Sequence, residues 1–385
     1  MYACQIHAWS IGAMDVISIN LTLWSFVLLV LRDPRKTHRR IWVYSGTADG
    51  KGSEGAGERI VEEPYPVDIP KRIAWVLTLL VSLRLTGWKI GEQAHDRAQP
   101  PPRLSRSAFL KVALSTVVQS YLILDVASSY VQTDPYFTTS GMGVGEPFPT
   151  PTPEMPTLLV VLRLLPPRVV RSSVLAGQIY GMVTSLFFIP TLPAVGLNVL
   201  GLVPDEWSPQ TWPVFFGDFS AIGERGLRGL WGSWWHRMNK QITATHGRAA
   251  AETMGIHSNS TPGYALSVIS AFFFSGIIHM GMIPPRPESA LLTANMMRFY
   301  VAVFFWVQIL AFGVELIASK LVAHFVPTIQ RRSVTKTLVL LWAAAWLCLT
   351  LPLLTIPFRE IGYWHYYGLP VSVIRGLGGA GWMAW

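Results

Sequence analysis

Charge is what this sequence has least of. Asp, Glu, Lys and Arg make up 14% of its 385 residues, against about 25% in an ordinary soluble domain. That deficit excludes a water-soluble globular surface. Acidic residues are the scarcer sign, 22 against 31 Lys and Arg, for a net charge of +9. Cysteine is nearly absent. Cys4 and Cys348 lie far apart, and Cys348 sits inside an apolar run, so neither a disulfide framework nor a zinc site is supported. No internal repeat is visible. In place of polar surface stand 51% hydrophobic residues and a mean hydropathy of +0.36.

The apolar residues fall in runs at about 11–31, 72–90, 108–130, 172–190, 192–204, 264–283, 293–319 and 337–356. Several reach the roughly 20 residues that cross a bilayer as a helix. Lipid satisfies no backbone groups at an open sheet edge, so helices are the expected spanning structure. The expected fold is all-α, a single membrane domain over 1–385 with about eight spans. The run at 192–204 is short and follows Pro190 and Pro193, so it either re-enters or crosses. Two connections, 45–58 (rich in Gly, Ser and Ala) and 141–156 (rich in Pro and Gly), read as flexible.

The basic residues lie in short loops, which is the positive-inside pattern rather than a nucleic-acid footprint. No nucleic-acid partner is expected. "RDPRKTHRR" after the first run marks a retained first span with a cytosolic flank. Eight crossings from a lumenal N-terminus place 32–71, 131–171, 205–263 and 320–336 in the cytosol. One loop disagrees: 91–107 becomes lumenal although it carries Arg97, Arg103 and Arg106. "NST" at 259–261 fits the N-glycosylation pattern but falls on the cytosolic side.

Residues 221–246 have helical period without the apolarity of a span. At 100° per residue, Arg225, Arg228, Gly232, Trp235, His236 and Asn239 share a sector, with Trp231, Trp234 and Met238 beside it. An interfacial amphipathic helix is expected. Two uses are open: an anchor of indole and arginine at the membrane boundary, or a mouth where Arg and Lys hold the phosphates of an anionic ligand.

"YALSVISAFFFSGIIHMGM" at 264–282 holds one strongly polar titratable side chain, His279. An imidazole at membrane depth is a functional candidate. The alternative is a boundary histidine near the end of its span, since Pro284 and Pro285 follow. Ser275 and Gly276 precede it by four and three residues, on the same helical face. Ser275 is placed to orient the ring, and Gly276 leaves room beside it. Hydrocarbon favours the neutral imidazole, which is a competent general base. His279 lies about 22 Å along the helix from Tyr264, so a soluble donor must arrive on a long thin arm, as coenzyme A does.

"LRGLWGSWWH" at 227–236 and "SGIIH" at 275–279 together resemble the membrane-bound O-acyltransferase superfamily. Its wax-synthase-like branch, including fungal enzymes that acetylate terpenoid alcohols, shows "LRxFWGxxWH" and "SGxxH". "SLRLTGWKIG" at 82–91 and "DEWSPQTWPVFFGDF" at 205–219 are similar to two further stretches of that branch. Leu230 departs from its phenylalanine, and Ser233–Trp234 from its arginine pair.

The resemblance implies a catalytic region over 205–283, with His279 and His236 as catalytic residues. Trp231, Trp235 and Arg228 match motif positions. Arg225, Arg237 and Lys240 stand in for the missing arginines as phosphate holders, with Asn239, Ser275 and Gly276 completing the binding set. It further implies acetyl-CoA or another acyl-CoA as co-substrate, no metal, a lipophilic terpenoid alcohol as acceptor, lipid surroundings and the endoplasmic reticulum. Alternatives are a long-chain wax-ester or sterol acyltransferase and, in another class, a transporter or scaffold.

Overall fold

A computed structural model describes residues 15–44, 59–82, 85, 87–90, 105–151, 155–203, 207–208, 212, 215–235, 238–287, 291–325, 332–365, 369–379 and 381–383. The loop at 45–58 and the basic loop around Arg97 and Arg103 lie outside these residues, as do His236 and Arg237.

Helices dominate. They are α1 (Asp15–Leu31), α2 (Ile69–Val81), α3 (Arg106–Val131), α4 (Pro167–Val199), α5 (Ser220–Gly229), α6 (Lys240–Thr253), α7 (Thr261–Met280), α8 (Ala294–Trp306), α9 (Gln308–Phe325), α10 (Arg332–Thr350) and α11 (Pro352–Glu360). Among the described residues five stretches are long and apolar enough to cross a membrane: α3, α4, α7, the α8–α9 pair over Ala294–Leu321, and the α10–α11 pair over Lys336–Glu360. α1 is a shorter apolar helix.

Local chemistry sets their starts. Ser105, Ser260 and Thr293 cap α3, α7 and α8 by accepting backbone N–H bonds at 3.2, 3.2 and 3.3 Å. Each such cap satisfies one of the donors a helix start leaves open.

Three expectations are corrected. The runs at 172–190 and 192–204 form one helix, α4, which carries Pro190 and Pro193 inside it; neighbouring helices make such prolines tolerable at membrane depth. The run at 72–90 does not form one helix of spanning length. Its helix, α2, has 13 residues, about 20 Å. The chain then turns through Leu85 and Gly87, both at positive φ, into a strand.

The third correction is that strand and its partners. β1 (His38–Tyr44) pairs antiparallel with β2 (Arg59–Glu63) and β3 (Trp88–Ile90) in the order β2-β1-β3. Cross-strand contacts suit the sequence: Lys89 meets Glu62 at 2.6 Å, and the Trp42 indole donates to Glu63 at 2.8 Å. Trp75 of α2 packs edge-on to Trp88 of β3 at 4.8 Å, and both rings are buried with Trp24 and Leu28 of α1. This second core holds the sheet and α2 against α1, leaving Ile69, Ile73 and Leu77 exposed on α2's other face.

The main core joins α3, α4, α7, α8 and α11. At one end of the bundle Arg32 lies 4.0 Å from Glu252, and Lys336 lies 3.7 Å from Glu224. At the other end Gln132 donates to the Trp364 carbonyl at 3.0 Å and Ser140 to Glu360 at 3.0 Å.

The 141–151 stretch, expected to be flexible, has no helix or strand but is tied down. Arg171 donates to the carbonyls of Val144 and Glu146 at 3.0 and 2.8 Å. Arg359 reaches Met142 O at 2.9 Å and Arg163 reaches Pro149 O at 2.7 Å. Arg171 also pairs with Asp134 through two bonds of 2.8 and 2.9 Å, with both side chains fully buried. Arginine supplies donors that loop carbonyls need and that glycine and proline composition does not reveal.

Candidate active site

A cavity of about 1430 Å³ runs between the bundle helices. His279 of α7 lines it, and so do Arg225, Arg228, Trp231, Trp235, Asn239 and Lys240. Ser275 lines it as well. The imidazole and the cationic, indole-rich stretch therefore open onto one continuous space.

The ring of His279 is fixed at one nitrogen. Nδ1 lies 2.7 Å from the Ser275 carbonyl oxygen, which only accepts, so Nδ1 carries a proton. In the neutral ring Nε2 then holds the lone pair. Phe305 packs against the ring, centroids 4.2 Å apart. Ser275 thus orients the ring through its backbone carbonyl. Gly276 differs from expectation. A β-carbon there would come within 2.6 Å of Trp306 Nε1, so this glycine permits close packing of α7 on α8 and does not make room in the cavity.

The basic segment is not one helix. α5 contains Gly226 at φ 60°, ψ −134°, and a π-helical turn follows over Leu230–Trp234. Trp235 is extended at ψ 149°, and α6 begins after Asn239. The single helical wheel over 221–246 is thus broken. Its indoles point to protein, not lipid. Trp231 Nε1 donates to Gln308 at 3.3 Å, and Trp234 stacks on Tyr180 and Phe216, centroids 6.1 and 5.3 Å away.

Glu315 of α9 organises the break. Its carboxylate accepts from the N–H groups of Leu227 and Arg228 at 2.6 and 3.1 Å, from Arg228 Nε at 3.3 Å and from the Trp342 indole at 3.1 Å. Asp125, another carboxyl inside an apolar run, accepts from Val373 and Ile374 N–H at 2.7 and 3.0 Å.

Arg228 thus meets the cavity with its charge countered. Arg225 is exposed and donates to Ser233 Oγ at 2.7 Å. Two cations outside the motif, Arg32 and Arg248, also line this end. Gln308 was missed: fully buried, it accepts from two indoles, Trp231 and Trp346, the latter at 3.1 Å. A polar residue inside an apolar run was its only signal. Among the described residues no three His, Cys, Asp or Glu side chains converge on a possible metal position.

The helical bundle thus encloses a cavity lined by one imidazole from α7 and by several arginines. Residues 212–305 match the model of the membrane bound O-acyl transferase family, a stretch that contains both histidine motifs. The acetyltransferase eriL of Hericium erinaceus is 22% identical over 324 residues, covering 83% of this chain and 76% of its own. Acetyltransferase ple2 of Rhodocybe pseudopiperita is 23% identical over 210 residues, 54% of this chain and 48% of its own. Acetyltransferase aurG of Calcarisporium arbuscula is 24% identical over 253 residues, 62% and 56%. The chain thus spans about half the length of the latter two. No solved structure matches it. The resemblance read from the two motifs is borne out: the chain is similar to membrane-bound O-acyltransferases and to fungal acetyltransferases.

Proposed function

We propose that the protein transfers acetyl from acetyl-CoA to a hydroxyl of a lipophilic, terpenoid-like alcohol in the endoplasmic reticulum membrane. The observation that carries this reading is the shared cavity of His279 and the basic mouth. The nucleotide end of the donor sits at Arg225, Lys240 and Arg237, with Trp231, Trp235 and Asn239 along its path. The pantetheine arm brings the thioester to His279. Nε2 takes the proton of the acceptor hydroxyl while its oxygen bonds to the acetyl carbon. The C–S bond then breaks, and the thiolate recovers the proton as free CoA leaves. His236 orients the acceptor or donates to the developing oxyanion, a contact of a kind worth roughly 3–4 kcal/mol elsewhere. Apolar walls keep water from the thioester.

Six crossings by α1, α3, α4, α7, α8–α9 and α10–α11, with α2 at the surface, put 32–105, 200–260 and 322–335 on one side. Those stretches hold thirteen, five and two Lys and Arg residues. The opposite loops hold Arg163, Arg286 and Arg375. The bias makes the first side cytosolic, and the loop with Arg97 and Arg103 no longer dissents.

The test is His279→Ala in microsomes supplied with acetyl-CoA and, in parallel, palmitoyl-CoA. Loss of a general base lowers transfer on the order of 10²–10⁴-fold. Undiminished acetyl transfer at equal expression overturns the role of His279, and preference for palmitoyl-CoA overturns the acetyl donor.

A further inference from the structure

The cavity contains a second polar feature, remote in sequence from both histidine motifs. Gln178 lies in the middle of α4, is 8% exposed and lines the cavity. Its amide orientation is fixed. Trp364 Nε1 donates to Oε1 at 2.8 Å, and an indole N–H cannot accept, so the oxygen faces Trp364 and the NH₂ faces away. Trp364 is itself held: it is 2% exposed, its carbonyl accepts from Gln132, and its ring packs edge-on to Phe137 and Tyr363 at 5.1 and 5.3 Å. Among the described residues Gln178 Nε2 makes no hydrogen bond.

An amide donor that opens onto an apolar cavity gains from an acceptor placed there, and hydrocarbon supplies none. The walls beside it, from Leu175, Ile179, Leu351 and Leu354, are apolar. They favour an uncharged oxygen over a carboxylate or phosphate, whose desolvation costs more.

We propose that Gln178 is a specificity residue that donates to a second, non-reacting oxygen of the acceptor: a ketone, ether or further hydroxyl on an otherwise apolar body. This rests on the acyl-transfer reading above and narrows its substrate class. The acceptor alcohol carries at least two oxygen functions, one acylated near His279 and one read by Gln178. A monofunctional alcohol leaves the amide unpaired and binds less well.

The test uses two probes of one skeleton, a decalin with a single hydroxyl and the same decalin with a ketone on its second ring. Acetyl transfer is measured in microsomes, and thermal stabilisation by each alcohol on the full-length protein in detergent. The wild type is expected to favour the keto-alcohol about ten-fold in kcat/KM, the scale of one buried hydrogen bond, with the difference in KM. Gln178→Met, of similar shape, brings that ratio toward one. Trp364→Phe keeps the ring but releases the amide, and lowers the ratio part of the way.

A wild-type ratio near one overturns the proposal. So does a Met variant that slows both alcohols alike, which would put the amide at the reacting carbonyl or in the scaffold. Should wild-type membranes acetylate neither alcohol, the acyl-transfer reading fails on these probes. The stabilisation by the two alcohols then decides on Gln178 alone: a surplus for the keto-alcohol that Gln178→Met abolishes supports it, and equal shifts, including none, refute it.

Discussion

The carboxylate of Glu315 lies against the α-carbon of Gly226, in the space a β-carbon would fill. Gly226 turns there at φ 60°, a conformation that glycine adopts without strain. The turn aims the Leu227 and Arg228 N–H groups at the carboxylate. The motif's entry into the cavity wall is therefore built by a charge on another helix.

Gly226→Ala is expected to destabilise the protein by about 1–3 kcal/mol from backbone strain alone, with added loss from displacing Glu315. Glu315→Leu is expected to cost more, about 3–5 kcal/mol, because it leaves Arg228 without its counter-charge. Glu315→Gln keeps an acceptor and falls between wild type and Leu. Thermal unfolding in detergent measures all three. An unchanged midpoint in Gly226→Ala would show that the carboxylate does not constrain this turn.

The Arg171–Asp134 pair joins α4 to the stretch that closes the far end of the bundle. Arg171→Met removes the counter-charge of a buried carboxylate and the donors of the Val144 and Glu146 carbonyls. A loss of about 3–5 kcal/mol is expected. Asp134→Leu combined with Arg171→Met recovers part of it, because no unpaired charge remains, but not the loop contacts. A double-mutant cycle on unfolding midpoints reads the coupling. Strictly additive losses would show that the pair is not energetically joined.

What could be read from the chain follows the range of the physics. His279 stood out because one imidazole in an apolar run needs only local composition to notice, and its bond to the Ser275 carbonyl is a helical i−4 contact. The indole-rich segment stood out for the same reason. Its break did not, because Glu315 lies 87 residues beyond Arg228. The sheet was missed because β1 draws its partners from 59–63 and 88–90, and apolarity over 72–90 masked the turn at Leu85 and Gly87. Taking α2 as a span is also what set the loop with Arg97 and Arg103 against the charge bias of the other loops.

That change of count can be measured. In a background of Cys4→Ala and Cys348→Ala, Arg97→Cys and Thr150→Cys are treated with a membrane-impermeant maleimide in sealed, cytosol-side-out microsomes. Arg97→Cys is expected to label at once and Thr150→Cys only after detergent, since six crossings put 132–166 in the lumen. The eight-span count predicts the reverse for both. Asn259 remains unglycosylated under either count.

His38 ties stability to pH. It opens β1, is 1% exposed, and its Nδ1 lies 2.9 Å from Thr37 Oγ1. That hydroxyl already donates to Asp33 O at 2.8 Å, so it accepts from Nδ1–H. Protonation must therefore add a charge at Nε2 in a buried site. Burial, with the nearby positive charge of Arg32 adding to it, lowers the pKa to about 4 from 6.5. The unfolded chain binds a proton near pH 6.5 and the folded one resists it until about pH 4. The neutral ring's contribution is thus complete above pH 6.5 and drains away as the pH falls toward 4, by about 3 kcal/mol in all. In His38→Gln that slope disappears. Unfolding midpoints of the two proteins at pH 7.5, 6 and 5 should converge steadily with acid. Parallel curves would mean that His38 is protonated as readily in the fold as out of it.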